Sequence, residues 1–197
     1  MHSKTNQTNQ IPQFLIAGTD LTNPNDIEFW GIKKNQTVFF LQAGHVYKFE
    51  ELAPKFYVLL LNKLNSDKGA LQYFSQFDIP TKRKVELYTY YLYGMQDHTP
   101  DIINGELQPC ENFRDTTFCP SLAFDHKDVK LNGATLKKRD IVIIEMSANG
   151  DTDEAIAQAL GIKLPTLDCH KKSLFVKTGT TCKLDLVSKS YKQHIIA

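Results

Sequence analysis

The sequence predicts a mainly α protein: a C-terminal four-helix helix-turn-helix domain preceded by a small α+β module with a β-hairpin. Three observations carry this. Ala155-Ile156-Ala157, Leu160-Gly161-Ile162 and Thr166-Leu167 place small and apolar residues where two short helices joined by a tight turn need them. Apolar residues recur at helical spacing between Leu52 and Leu92. Two β-prone runs, residues 37–41 and 45–49, are joined by Gln42-Ala43-Gly44, and Gly44 can take the positive φ that such a turn requires.

The 197 residues are 42% hydrophobic and 23% charged, ordinary values for a globular chain of one or two domains. The longest apolar run, residues 56–61, is far too short to span a bilayer. Residues 1–10 are polar and lack the apolar centre of a secretory signal, so a cytoplasmic location is expected. Four cysteines without an evident framework fit a reducing compartment.

Within the N-terminal part, residues 1–12 read as a disordered arm, and Phe14-Leu15-Ile16 as a short strand. Residues 13–96 form the α+β module. Leu52, Phe56, Leu59, Leu60 and Leu64 mark its first helix, with Pro54 tolerated in the first turn. Ser66 is positioned to cap a second helix through Phe77, and residues 81–94 form a third. The tyrosines clustered there read as packing residues. Residues 97–133, rich in Pro, Gly, Asn and Asp, read as a linker or long ordered loop before the domain at 134–197.

That last domain begins with an amphipathic helix over 139–148, stopped by Asn149-Gly150. Thr152 caps the second helix, and Asp153 and Glu154 complement its dipole. The third helix, about 165–177, turns Leu167 and Leu174 inward. On its other face it presents Thr166, Asp168, Cys169, Lys171, Lys172 and Lys177. A final amphipathic helix occupies 184–196. A helix packed on one side and lysine-rich on the other suits entry into the major groove of duplex DNA. A small helical bundle with a solvated basic face satisfies the same spacing. Charge permits either: residues 134–197 hold 10 Lys and Arg against 7 Asp and Glu, a balance of +3, and the remainder carries −2.

Leu136, Arg139-Asp140, Ile143-Ile144, Ala148, Gly150, Ile156-Ala157, Leu160, Ile162, Thr166-Leu167, His170, Lys177, Gly179, Lys183 and Asp185-Leu186-Val187 fall on one register. In this pattern the segment resembles the DNA-binding domain of LuxR-type transcription regulators. The resemblance implies four helices, double-stranded DNA as partner, the third helix as reader and a homodimer formed through the fourth. It places base-reading roles on Asp168, Cys169 and Lys172, and backbone contacts on Thr166, His170, Lys171, Lys177 and Lys183. The segment departs from the family pattern where Asp168 replaces a basic residue, where Lys137 and Lys163 stand at helix caps, and where Ala155 and Thr178 replace Glu and Leu. The N-terminal part resembles that of LuxR-type proteins of Bacteroidetes, which implies a partner-binding or dimerising module.

No nucleophile elbow, phosphate-binding glycine loop or paired metal-ligand motif is present, so neither enzymatic activity, a cofactor nor a metal site is expected. Two other functional classes remain open. One is a protein-interaction adaptor built on a helix-turn-helix that no longer binds DNA. The other is a thiol-based metal or redox sensor using Cys110 and Cys119, with His98 and His126 nearby.

Overall fold

The computed structural model describes residues 17, 18 and 23–196; the expected arm at 1–12 and the Phe14-Leu15-Ile16 strand lie outside them. The described chain is an α+β mix, with seven α-helices and three small antiparallel sheets. This corrects the mainly α expectation with its separate four-helix domain. The physical reason lies in two hairpins beyond the expected Ala43-Gly44 one, whose turns Asn104-Gly105 and Asn132-Gly133 likewise place two successive residues at positive φ. Asn-Gly is the dipeptide that best tolerates this geometry, so short strands form where a loop was expected.

The first sheet contains β1 (Glu28–Ile32), β2 (Thr37–Gln42) and β3 (His45–Lys48) in sequential antiparallel order. Phe29 lies opposite Phe40 and Gly31 opposite Val38, so these four share one face. That face packs on three helices: α1 (Pro54–Ser66), α2 (Lys68–Phe74) and α3 (Thr81–Tyr93). A Cβ at Gly31 would fall 2.2 Å from the Tyr90 ring, so only glycine lets α3 approach this closely. Tyr88, Tyr90, Tyr91 and Tyr93 are all buried, which accounts for the tyrosine cluster as packing. Asp67, not Ser66, caps α2 by accepting from the Ala70 amide.

Residues 94–137 bind the two ends of the molecule together. They contribute β4 (Ile102–Ile103) with β5 (Glu106–Leu107), and β6 (Lys130–Leu131) with β7 (Ala134–Thr135). Ile102 bridges Ile27 and is fully buried with it in the first core. Phe113 and Phe124 join the same core, whereas Val129 and Leu131 belong to a second one.

The second core is built mainly by α4 (Lys138–Ala148), α5 (Asp153–Ala159), α6 (Leu164–Thr178) and α7 (Lys183–Lys192). Its helices are therefore completed by a hairpin from the connecting segment. Arg114, fully buried, pairs with Glu145 of α4 at 2.6 Å and also donates to the Ile195 carbonyl. Asn112 donates to the carbonyls of Lys130 and Gln193.

Candidate functional site

α5 and α6 are joined by a tight turn and pack against each other. Thr152 Oγ1 accepts from the Ala155 amide at 3.3 Å and starts α5. Leu160 ends it, and Gly161, at φ +64°, turns the chain. No side chain caps α6 at Lys163; Pro165 sits in its first turn, where a missing N–H costs nothing. Gly179, in the left-handed conformation, stops α6. Leu167 and Leu174 are buried against Ile156, Ala157, Ile141 and Ile144.

The face of α6 turned to solvent runs through Asp168, Cys169, Lys172 and Val176, which recur at helical spacing and are all exposed, with Thr166 beside them. This differs from the lysine-rich face expected. Lys171 is turned toward α5 and pairs with Asp153 at 2.8 Å. Lys177 pairs with Asp140 of α4 at 2.8 Å. Lys183 reaches the Asp151 carbonyl at 3.5 Å. His170 accepts from Arg139 at 3.2 Å. Of the expected DNA contacts, Thr166, Asp168, Cys169, Lys172 and Lys177 are exposed, Lys177 while paired with Asp140, whereas His170, Lys171 and Lys183 are half-buried and tie the helices together.

Asp140 accepts three hydrogen bonds, from Lys177, Arg139 and the Lys137 amide. Burial favours its neutral form, yet the bonds win and hold its carboxyl below the usual range. A carboxylate gripped in this way orients both helices that contact it. Exposed apolar side chains adjoin Lys177 and Lys183 in sequence: Val176 is 86% and Leu184 77% accessible.

All four cysteines are free. Cys110 Sγ accepts from the Asp128 amide at 3.1 Å, and Cys119 Sγ lies 3.0 Å from Ser121 Oγ. Burial pushes the Cys119 thiol up, away from the reactive thiolate.

Sequence reasoning missed a second group. Among the described residues, Glu28, Asp101 and Glu111 are the one set of three or more His, Cys, Asp or Glu side chains close enough to share an ion. Burial pushes Glu28 up to about 9 and Glu111 up to about 8, and raises Asp101 well above the carboxylate range. Their mutual repulsion acts in the same direction. The only signal in the sequence was an acid within the apolar run Ile27-Glu28-Phe29-Trp30.

No family model, curated protein or solved structure matches this chain. No helix among the described residues is long and apolar enough to cross a membrane.

Proposed function

We propose that the protein binds duplex DNA through the α5–α6 helix-turn-helix and acts as a transcription regulator. The observation that carries this reading is the division of α6. Leu167 and Leu174 fix one side to the second core, and the side bearing Thr166, Asp168, Cys169 and Lys172 is open along its length. A rigidly seated helix with a free polar face is what major-groove reading needs.

Lys172 supplies the phosphate attraction from this face, and Asp168 suits a cytosine amino group better than a phosphate. Affinity therefore rests on few charges and has a shallow salt dependence. A homodimer places two such helices on successive half-sites; Leu184 and Tyr191, seven positions apart on α7 and both exposed, are the surface for it. Fluorescence anisotropy with random-sequence and genomic duplexes tests the reading. Lys172→Ala should weaken binding to every duplex, and a protein that binds none at low salt would overturn it.

The internal pairing of Lys171 and Lys177 favours one alternative. With those charges neutralised and Val176 and Leu184 uncovered, the same surface suits a protein partner. Retention of a partner by the wild type but not by Val176→Lys, together with absence of DNA binding, would establish the adaptor instead.

A further inference from the structure

The geometry points to a divalent-cation site formed by Glu28, Asp101 and Glu111, where a hard ion would join β1 to the connecting segment. It is independent of the helix-turn-helix reading. One oxygen from each carboxylate lies within 4.8 Å of the other two. Oxygens so spaced lie on or near a calcium coordination sphere of ~2.3–2.6 Å, and Mg2+ or Mn2+ would draw them slightly closer.

The way each carboxylate is held marks this as more than an acidic cluster. Glu28 accepts from the Asp97 amide at 2.7 Å, Asp101 from the Phe29 amide at 2.8 Å, and Glu111 from the Met95 amide at 2.8 Å. Each side chain is thus oriented through one oxygen by the backbone, as outer-shell partners orient metal ligands. The second oxygens of Glu28 and Glu111 are buried without any hydrogen-bond partner, and Glu28 is 0% exposed.

Asp67 supplies the contrast within the same core. It is also 0% exposed, but its two oxygens accept from four donors: the amides of Ala70, Asp125 and His126 and the Tyr88 hydroxyl. This fold can satisfy a buried carboxylate fully with its own donors. At Glu28 and Glu111 it does not, and unmet acceptors in a buried site are costly.

Among the described residues, no Lys or Arg forms an ion pair with these three carboxylates. Lys127, though buried, donates to the carbonyls of Tyr91, Glu111 and Phe113. A cleft of about 650 Å³ reaches the cluster past Asp97, Asp101, Cys110 and Glu111, which gives an ion a way in. With three oxygen donors and no His or Cys in the group, the site selects Ca2+, Mg2+ or Mn2+ over zinc or copper.

The test uses the full chain after treatment with chelator, titrated separately with CaCl2, MgCl2 and MnCl2 at matched ionic strength. Calorimetry should give one ion per chain. At roughly a hundred times its Kd the preferred ion should raise Tm by about 5–10 °C. The double variant Glu28→Gln, Glu111→Gln should melt cooperatively and show no ion-dependent shift. A shift of equal size in that variant would overturn the site, as would no binding heat up to roughly 10 mM ion, beyond the weakest protein calcium sites of ~10⁻³ M. A second readout needs no variant. Trp30, on the same strand as Glu28, should sensitise bound Tb3+, and Ca2+ should quench that emission by displacement; emission that Ca2+ leaves unchanged would count against the proposal.

Discussion

In the C-terminal half, an acid that leaves solvent meets a base; around β1 and the connecting segment, acids meet one another. Asp140 is paired with Lys177 and Arg139, Asp153 with Lys171, Asp185 with Lys189, and Glu145 with Arg114. Glu28, Asp101 and Glu111 share a buried volume and are anchored by backbone amides alone. The two arrangements do different work. Paired charges lock helices at fixed angles, as the proposed DNA-reading role of α6 requires. Clustered carboxylates must take up protons or a cation, which makes that region responsive to its solution.

The buried Arg114–Glu145 pair should give the largest effect, because it pins α4 to the connecting segment. Arg114→Ala removes the base from this buried pair and should destabilise the chain by about 3–5 kcal/mol in urea denaturation. Replacing both partners by Met and Leu should recover most of that loss; equal destabilisation in the double variant would mean that the pair does more than balance charge. Leu167→Ala, which empties the seat of α6, should cost about 2–5 kcal/mol and weaken DNA binding with it.

The acidic cluster predicts a pH response opposite to that of a salt-bridged protein. The folded pKa values of Glu28 and Glu111, about 9 and about 8, lie above the ordinary 4.5. Their stabilisation is therefore complete below pH 4.5 and is lost as pH rises through 8 to 9. Lys127 acts in another window. Burial lowers it from 10.5 to about 8, so its contribution is lost as pH falls through that range. Between about pH 5 and pH 7 the carboxylates dominate, and Tm of the chelated protein should fall with rising pH. Glu28→Gln should flatten the slope. A Tm that rises over that interval would place ionised carboxylates in the folded state.

The smallest effects separate two adjacent lysines. Lys171→Ala breaks the pair with Asp153 and should cost about 0.2–1 kcal/mol of stability with little change in DNA affinity. Lys172→Ala should leave the melting curve unchanged and reduce the salt slope of DNA binding by about 1. Reversal of the two results would put Lys171, not Lys172, at the phosphate.

Much of the helical architecture was legible beforehand. The apolar spacing in 139–148 and 165–177 lies within a residue of α4 and α6, because an amphipathic period is a local property. The Ala43-Gly44 turn was legible for the same reason. Asn104-Gly105 and Asn132-Gly133 carried an equally local signal, but they were submerged in a stretch read by its composition as a loop. β1 was missed because a glutamate interrupts its apolar run.

What no spacing revealed is which charges meet. Lys171 and Lys172 are neighbours with the same chemistry, and only the crossing of α5 over α6 decides that one faces Asp153 and the other faces solvent. Glu28 and the Asp97 amide that orients it are 69 residues apart. Local periodicity and turn chemistry act over a few residues and are written into the sequence itself. Electrostatic partnership and burial depend on distances through space, so the acid cluster and the thinned basic face came into view only when the chain was packed.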